Sequence, residues 1–507
     1  MRPAYTADVS ADDPVLTVDK VSSGVAGLDE VLGGGFPAHR LHLVEGGPGV
    51  GKTTLALQFL MDGVGRGEPV LYVTLSETID ELEAVARSHG WTLDGIQLHE
   101  LAPTEESLGP EAQYTIVHPA EVELGERTWS VLEEVERTRP SRVVVDSLAE
   151  LELLARDPLR YRRQILGLKR FFAGRRCTVL FLDNVNRSSS GVESIAHGVV
   201  QLEQLAPEYG SERRRLRVMK LRGARYRGGY HDLIIRTGGI VVFPRLVAAE
   251  HRETPVYEPI SSGLPELDHL LGGGLDRGTS ALLAGPAGVG KSVLASHYAE
   301  AAAARGEHAA IYIFDEGVGT FLRRSEGLGL HLREHVGTGR VALRQLDPAE
   351  LSLGQFNQLV CDAVDRDGAR VVVVDSLNGY LNAMAEERAV TVQLHELLSF
   401  LNQRGVLTLV TMAQHGLVGD RIAAPLDVSY LADTVVLLRY FEAAGQLRRA
   451  ISVVKKRSGA HERTIRELRL TPPVLVGEPL REFSGVLTPA PVYVGLSGEL
   501  LERDSGC

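Results

Sequence analysis

GGPGVGKT, residues 46–53, is the stretch of this 507-residue chain that decides its fold. Its spacing, G-x-x-x-x-G-K-[ST], is that of a P-loop, in which glycines let successive backbone N–H groups turn toward phosphate oxygens. The positive N-terminal end of the following helix adds to that attraction. Lys52 would reach the β- and γ-phosphates, and the Thr53 hydroxyl would hold Mg²⁺. Residues 41–45 read as a buried strand and residues 54–60 as a helix, which is the context a P-loop needs.

A second copy of the motif, GPAGVGKS, occupies residues 285–292. It lies between a strand-like run at residues 281–284 and a helix pattern at residues 293–302. Lys291 and Ser292 take the positions of the phosphate-binding lysine and the Mg²⁺-binding hydroxyl. A glycine-rich turn with a chance Lys-Ser pair is the alternative interpretation. The same strand–loop–helix context in both copies favours two nucleotide sites.

The repeat extends beyond the two loops, because Lys52 and Lys291 are 239 residues apart and other landmarks share that spacing. A repeat of such a long period indicates a duplicated domain and not a solenoid of short units. The spacing relates Ser22-Ser23-Gly24 to Ser261-Ser262-Gly263, Leu28-Asp29 to Leu267-Asp268, Gly33-Gly34-Gly35 to Gly272-Gly273-Gly274, and Glu77 to Glu316.

The two copies differ in length between Glu77 and Asp146. The sequence VVVDS occurs at residues 143–147 and 372–376, only 229 residues apart, so the first copy carries ten extra residues. We place this insertion within residues 104–115, as a surface loop. We expect an N-terminal arm at 1–15, a first ATPase domain at 16–246, a linker at 247–256, a second ATPase domain at 257–484 and a short C-terminal arm at 485–507.

The predicted strands alternate with helical stretches such as residues 79–89 and 159–172, which is the pattern of a mostly parallel α/β sheet flanked by helices. Ligand chemistry in such a sheet lies at the carboxyl ends of the strands. In the first half we expect strands at residues 41–45, 70–75, 142–145, 178–182 and 199–202.

The composition agrees with two globular domains in a reducing cytoplasm. The net charge of −12 disfavours bulk binding to nucleic acid, although a local basic channel is compatible with it. Cys177, Cys361 and Cys507 form no metal or disulfide pattern. We also find no signal peptide and no apolar run of membrane-spanning length.

Carboxylates follow two of the predicted strands in each half. Asp146 and Asp375 end runs of buried valines, where an aspartate would hold Mg²⁺ beside a P-loop. Such an aspartate can also simply begin a turn. Glu77 in the first half, and Asp315 and Glu316 in the second, follow another strand and could orient or deprotonate the nucleophile at the γ-phosphate. The alternative for these three is a solvated helix N-cap.

Basic residues follow an apolar strand late in each half. Alternation places Lys220 and Arg222 on one face of the first of these strands, and Lys455 and Arg457 on one face of the second. Two cations on one face could clamp a phosphate, as a trans-acting arginine does in ring ATPases. They could equally protect a solvated edge strand with charge, and the residues alone leave both interpretations open.

With these residues, the chain resembles the KaiC and KaiC-like family of duplicated RecA-type ATPases over roughly residues 16–495. The resemblance rests on the S-S-G-x-x-x-L-D motif, both P-loops, residues 74–78 with the RSHGW stretch at 87–91, residues 220–223 and residues 455–467. The resemblance implies two tandem RecA-like domains, a homo-hexameric double ring and ATP bound between subunits with Mg²⁺. It also implies that the late basic residues reach the neighbour's nucleotide, which favours the phosphate-clamp interpretation over the edge-strand one. The implied ATP-binding set is Gly46, Gly47, Pro48, Gly49, Val50, Gly51, Lys52, Thr53, Thr54, Ser88, Lys220, Leu221 and Arg222, then Gly285, Pro286, Ala287, Gly288, Val289, Gly290, Lys291, Ser292, Val293, Arg449, Lys455, Arg457 and His461.

The chain departs from the family pattern at two functional places. Ser76 stands where the family has the glutamate associated with water activation, so hydrolysis in the first domain is expected to be slow or to rely on Glu77. Ser429-Tyr430 stands where the family has its phosphorylated Ser-Thr pair, and residues 424–427 lack the neighbouring hydroxyls and histidine. Ser429 is a candidate phosphoacceptor, or equally a polar interface residue.

Three functions remain to be compared. The first is a ring-forming signalling or clock-type ATPase with serine/threonine autokinase activity in the second domain and an unidentified signalling partner protein. The second is a DNA-dependent recombinase or helicase motor that uses basic residues at 160–176 and 213–217. The third is an ATP-gated scaffold without catalysis. Net acidity and the lack of interleaved aromatic and basic residues rank the second below the first.

Overall fold

The computed structural model describes residues 18–101, 119–184, 191–206, 210–251, 258–382, 387–414, 429–443, 445–486 and 492–494. The predicted N-terminal arm, the insertion at 104–115, the segment 424–427 and most of the C-terminal arm lie outside these residues. The chain divides into two compact units, with the main boundary between Arg245 and Leu246. Each unit has its own large sheet and its own core.

The first unit is built on a nine-stranded sheet of order β11-β10-β9-β8-β3-β7-β6-β4-β5. Strands β8, β3, β7, β6, β4 and β5 are parallel, and β9, β10 and β11 extend the sheet as antiparallel strands. The elements are β1 Lys20–Val21, α1 Leu28–Val31, β2 Phe36–Pro37, β3 Leu41–Gly46, α2 Lys52–Gly65, β4 Val70–Thr74, α3 Ile79–Ser88, β5 Ile96–Glu100, α4 Pro119–Thr138, β6 Arg142–Asp146, α5 Leu148–Ala155, α6 Pro158–Ala173, β7 Thr178–Asp183, α7 Val192–Ile195, β8 Gly198–Leu205, β9 Arg213–Leu221, β10 Tyr230–Arg236 and β11 Gly239–Phe243.

The second unit repeats this topology in a nine-stranded sheet of order β16-β15-β17-β18-β14-β19-β20-β21-β22. Its elements are β12 Pro259–Ile260, α8 Pro265–Leu270, β13 Leu275–Asp276, β14 Ser280–Gly285, α9 Lys291–Ala304, β15 His308–Ile313, α10 Val318–Gly327, α11 Leu332–Gly337, β16 Val341–Gln345, α12 Leu353–Asp365, β17 Ala369–Asp375, α13 Leu377–Asn382, α14 Glu387–Gln403, β18 Leu407–Ala413, β19 Thr434–Ala443, β20 Gln446–Lys456, β21 Arg466–Arg469, β22 Leu475–Pro479, β23 Phe483–Ser484 and β24 Val492–Tyr493.

The central strands are buried on both faces, which explains their continuous apolar runs. In β6, Val144 packs into the core on one face of the first sheet, while Val143 and Val145 pack into the core on the other. Helices cover both faces and leave the carboxyl ends of the strands open for a ligand. The predicted fold class, two tandem RecA-like P-loop domains with mostly parallel sheets, is confirmed.

The segment between the two units is ordered where it is described. Residues Ala248–His251 form a 3-10 helix. The backbone N–H of Ala248 donates to Glu396 Oε2 at 2.8 Å, and Leu246 packs against the core of the second unit. Within the described residues, no helix is both long enough and apolar enough to cross a membrane.

Candidate nucleotide-binding sites

Both P-loops join a central strand to a long helix, as predicted. Helix α2 begins at Lys52, directly after Gly51, whose φ of 104° lies in the left-handed region. A Cβ at Gly51 would lie 2.8 Å from Ile235 Cδ1, so glycine is required there for space as well as for backbone conformation. The loop thus presents its backbone at the N-terminal end of the helix, where an anion is favoured.

Each P-loop lysine folds back onto its own loop. Lys52 Nζ donates to the carbonyls of Gly46 and Gly47 at 2.8 and 2.9 Å, and to Asn184 Oδ1 at 3.1 Å. Lys291 Nζ donates to the carbonyls of Gly285 and Pro286 at 2.8 and 2.7 Å. Burial lowers the pKa of Lys291 to about 8, against the raising effect of Asp375 and Asp315. Burial also lowers the pKa of Lys52, against the raising effects of Asp146, Asp183 and Glu77.

The residues predicted to hold Mg²⁺ lie together in the first unit. The Thr53 hydroxyl donates to Asp146 Oδ2 at 3.2 Å, and the two side chains offer the hard oxygen ligands that Mg²⁺ prefers. The hydroxyl of Tyr72, which is completely buried on the neighbouring strand β4, donates to the same oxygen at 2.6 Å. Burial raises the pKa of Asp146, and the hydrogen bonds from Tyr72 and Thr53 oppose this.

In the second unit the corresponding aspartate accepts its hydrogen bond from the strand on the other side of it in the sheet. Asp375 is buried at the end of β17, and its Oδ1 accepts a short hydrogen bond from the hydroxyl of Thr411 on β18. Ser292 is the second residue of α9, the place that Thr53 has in α2. The sequence analysis missed both Tyr72 and Thr411, because a contact between side chains on adjacent strands leaves no local motif.

The two acidic residues of the second unit, Asp315 and Glu316, are held by different partners. The Ser376 hydroxyl donates to Asp315 Oδ2 at 2.6 Å, which ties Asp315 to the residue that follows Asp375. Glu316 pairs with Arg324 on α10, with an oxygen–nitrogen distance of 2.7 Å. Burial raises the pKa of Glu316, and Arg324 opposes this. Asp315 is therefore tied to the end of the sheet that carries Asp375, whereas Glu316 pairs with a cation on a helix.

Glu77 in the first unit has a different environment from Glu316. Val85 occupies the position that corresponds to Arg324 at the spacing of 239 residues, so no cation stands there. Glu77 Oε2 is buried and has no hydrogen-bond partner within the part of the chain that the structure describes. Burial raises the pKa of Glu77, Asp146 and Glu81 add to the shift, and Lys52 opposes it. Ser76 is exposed.

A pair of buried carboxylates beside the first P-loop was not predicted. Glu45 and Asp183 are in register on the parallel strands β3 and β7. Burial raises the pKa of each to about 7; Glu193 and Asp183 also raise that of Glu45. In the second unit the corresponding residues in register on β14 and β18 are Ala284 and Met412, which carry no charge. The two units therefore differ in charge behind their P-loops.

The predicted clamp cations bind backbone carbonyls shortly before β8 or β19, and in the first unit these carbonyls belong to helix α7. Lys220 Nζ donates to the carbonyl of Glu193, and Arg222 donates to that of Ser194 at 3.0 Å. In the second unit Lys455 Nζ donates to the carbonyls of Ser429 and Ala432 at 3.0 and 2.7 Å. Arg457 likewise donates to the carbonyl of Tyr430 at 2.8 Å.

These cations lie toward the opposite end of the sheet from the P-loop of their own unit. Lys220 pairs with Val199, while Gly46, at the start of the P-loop, is level with Leu202. Three residues of strand separate the two levels by about 10 Å, and Lys220 extends toward the turn before β8, away from the loop. Lys455 pairs with Val435 in the same way.

The remaining predicted residues are spread over each unit. Ser88 ends α3, where its hydroxyl donates to the Val85 carbonyl at 2.7 Å. The guanidinium of Arg449 lies 5.6 Å from the ring centroid of Tyr440, whose hydroxyl donates to the Ala287 carbonyl of its own P-loop at 3.3 Å. His461 lies in the segment after β20 and is partly exposed. Ser429 lies beside Lys455 through its backbone carbonyl.

The arginines considered for DNA binding are largely engaged within the first unit. Arg215 pairs with Glu203 at 3.0 Å and stacks on Tyr230, with 3.8 Å from its guanidinium carbon to the ring centroid. Arg217 donates to Gln201 Oε1 at 2.9 Å. These contacts neutralise a strand and do not form an open basic groove.

Comparison with known proteins places these sites in a family. The family model described as "ATPase: KaiC" matches twice, at residues 21–247 and 260–476. Circadian clock protein KaiC3 of Synechocystis sp. (strain ATCC 27184 / PCC 6803 / Kazusa) is 27% identical over 497 residues, covering 96% of this chain and 97% of the relative. Circadian clock oscillator protein KaiC of Synechococcus elongatus is 26% identical over 488 residues, covering 94% and 92%. The corresponding protein of Prochlorococcus marinus is 25% identical over 471 residues, covering 90% and 92%.

Proposed function

The chain belongs to the KaiC family of ATPases, and from this premise we propose that it is a Mg²⁺-dependent ATP-binding and ATP-hydrolysing protein that assembles as a homo-hexameric ring. The observation that carries the proposal is the repeated constellation of a P-loop, a hydroxyl at its helix, an aspartate on a central strand and a further carboxylate beyond the neighbouring strand. In both units the residues present suit a Mg²⁺-nucleotide.

In each unit the P-loop backbone and its lysine would bind the phosphates. Thr53 and Asp146 would hold Mg²⁺ in the first unit, and Ser292 and Asp375 in the second. Mg²⁺ held there would supply positive charge that neutralises the charge developing during phosphoryl transfer. Lys52 and Lys291 must leave their loop carbonyls to reach the phosphates, and charged phosphate oxygens are better acceptors than carbonyls.

We propose that Asp315 orients or deprotonates the attacking water in the second unit, and that Glu77 does so in the first. Ser376 orients Asp315 through a 2.6 Å hydrogen bond, whereas the ion pair with Arg324 holds Glu316 aside. Glu77 lacks such a partner, and its burial favours proton uptake. Because Ser76 cannot supply a second carboxylate, the first unit would turn over ATP more slowly than the second.

The position of the clamp cations supports the proposed assembly of several copies into a ring. Lys220, Arg222, Lys455 and Arg457 are at the far end of each sheet from their own P-loop, so they suit a nucleotide held by another copy. A ring of identical copies supplies every site with such a neighbour. Arg449 is closer to its own P-loop through Tyr440 and would act from that side as well.

Autophosphorylation at Ser429 and a signalling partner protein remain parts of this proposal. Ser429 lies beside Lys455, so an ATP clamped by Lys455 would belong to a neighbouring copy, and phosphoryl transfer would occur between subunits. Its flanking residues 424–427 lie outside the described residues.

The test is phosphate release from Mg-ATP by purified protein, with mass spectrometry of the same sample for phosphate on Ser429. Asp375→Asn should abolish release from the second unit, and Asp347→Asn, an exposed-loop change of the same kind, should leave it intact. Absence of release by the unmodified protein would contradict the proposal. Release that requires DNA and falls steeply with salt would favour the recombinase-type alternative.

A further inference from the structure

The residues just before β8 and β19 have equivalent backbone contacts but differ in charge. His197 precedes β8 and accepts the Arg222 backbone N–H at 2.8 Å, while Asp433 precedes β19 and accepts the Arg457 backbone N–H at 2.9 Å. Each residue also stands two positions before the valine that pairs with the clamp lysine. The first unit thus has an imidazole where the second has a carboxylate.

In the second unit the carboxylate of Asp433 places a negative charge beside the clamp cation Arg457. Its Oδ2 accepts from the backbone N–H and the hydroxyl of Ser280 at 2.9 and 3.0 Å, and from the amide of Asn402 at 3.3 Å. Its Oδ1 lies 3.5 Å from Arg457. The cations of the second unit therefore already have an anion.

His197 presents a hydrogen-bond donor instead. Its Nδ1 accepts from the backbone N–H of Leu41 at 3.4 Å, which places the proton of the neutral ring on Nε2. The charged side chains that act on His197 are Lys169, Arg40 and Arg222, all positive. Burial first, and then these three cations, lower the pKa of His197 to about 4. The ring is therefore neutral at pH 7, and Nε2–H is its N–H donor.

Much of the donor capacity of these cations is unused. Lys169 Nζ donates to the Ile195 carbonyl at 2.7 Å and Arg222 to the Ser194 carbonyl at 3.0 Å, which leaves further N–H groups on both. The side chain of Arg40 is exposed and makes no hydrogen bond or ion pair to any of the residues described. Three positive charges around one imidazole repel one another, and an anion would remove that repulsion.

We propose that His197, Lys169, Arg40 and Arg222 form a phosphate-binding site at the amino-terminal end of the parallel strands in the first unit. A tetrahedral phosphate offers several charged acceptors to a cluster that consists of donors, and arginine suits it through paired N–H groups. The phosphate has two sources: free inorganic phosphate, or the terminal phosphate of a nucleotide on the P-loop of a neighbouring copy. Only the second source rests on the proposed ring.

The first experiment uses the full chain without nucleotide and titrates inorganic phosphate at constant ionic strength, with ³¹P NMR line width and calorimetry as readouts. His197→Asp installs the carboxylate that the second unit tolerates at the same backbone position, and we expect it to weaken phosphate binding at least tenfold. Lys169→Ala should weaken binding by a similar factor. Arg163→Ala removes a charge from the same helix α6 but does not act on His197, and it should leave binding unchanged.

The second experiment identifies the source. Binding of inorganic phosphate to the nucleotide-free chain, lost in His197→Asp, supports a free-phosphate site. If free phosphate does not bind, the proposal survives only if His197→Asp lowers assembly with a non-hydrolysable ATP analogue at least tenfold while Arg163→Ala does not. Equal behaviour of His197→Asp and unmodified protein in both experiments overturns it. Phosphate release from ATP, measured on the same variants, reports separately on the proposed ATPase.

Discussion

The two acidic residues after β15 can be tested separately, because Asp315→Asn and Glu316→Gln each remove a charge with little change in side-chain size. We predict that the two substitutions have very different effects on the rate of ATP hydrolysis. Asp315 accepts a hydrogen bond of 2.6 Å from Ser376, the residue after Asp375, and Glu316 is paired with Arg324 at 2.7 Å. If Asp315 is the base, its loss removes a general-base contribution of about 10²–10⁴-fold in rate. That corresponds to about 3–5 kcal/mol of activation free energy.

The Glu316→Gln change should have a small effect on the same rate. It removes a partly exposed ion pair, worth about 0–1 kcal/mol, and leaves Asp315 and Ser376 in place. We expect a rate change of less than about fivefold. Ser376→Ala should fall between the two, because Asp315 keeps its charge but loses its orientation.

The assay is single-turnover phosphate release in a Glu77→Gln background, which is expected to silence the first unit without changing Lys52 or the four clamp cations. Nucleotide affinity is measured in parallel, so that a binding defect is not mistaken for a catalytic one. The reasoning is refuted if Glu316→Gln lowers the rate a hundredfold or more while Asp315→Asn stays within fivefold of the parent.

Three further outcomes follow from single contacts in the first unit. Tyr72→Phe should destabilise the unit by about 1.5–3 kcal/mol, because it removes a hydrogen bond to a charged group. It should also raise the Mg²⁺ concentration that ATP needs to stabilise the protein in thermal melts. Tyr312→Phe is the control, because the Tyr312 hydroxyl donates to a backbone carbonyl. Glu45→Gln should raise the free energy of unfolding, measured in urea, by about 1–2 kcal/mol at pH 8 and by almost nothing at pH 4.5. The reason is that the pKa of Glu45 in the folded state, about 7, lies above its unfolded value, so the unmodified protein loses stability as the pH rises from the unfolded to the folded pKa. Arg142→Ala should cost about 3–5 kcal/mol, because Arg142 is almost fully buried between Asp62 and Glu68. Arg66→Ala removes an exposed partner of Asp62 and should have a much smaller effect by the same measurement.

The parts of the fold that the sequence predicted are those with a local signal. The P-loop spacing identified both strand–loop–helix units, and the runs at residues 142–145 and 371–374 identified central strands, because a strand buried on both faces must be apolar throughout. The duplicated spacing then predicted that the two sheets share one topology, which the strand orders confirm.

The features that the sequence did not predict arise from register between strands. The bond from Tyr72 to Asp146, and the pairing of Glu45 with Asp183, join residues more than seventy positions apart. Alternation predicted that Lys220 and Arg222 share a face, but it could not show which end of the sheet they occupy relative to the P-loop. That position depends on how β9 pairs with β8.

The sequence also did not show how the two carboxylates of the second unit are held. Asp315 and Glu316 are adjacent, and both are acidic, so their motif treats them alike. Their difference lies in Ser376 and Arg324, which approach from a strand end and from a helix. Only the packing of those elements shows which carboxylate is tied to the strand end that carries Asp375.

The division of labour between the two P-loops is tested most directly by comparing Lys52→Ala with Lys291→Ala in two readouts, hexamer mass by native mass spectrometry and phosphate release from Mg-ATP. We predict that Lys52→Ala mainly prevents hexamer formation, because the first site has weaker catalytic groups and serves assembly. We predict that Lys291→Ala leaves the hexamer largely intact and mainly lowers turnover. Equal effects of both substitutions on both readouts would contradict a duplicated site whose chemistry has diverged.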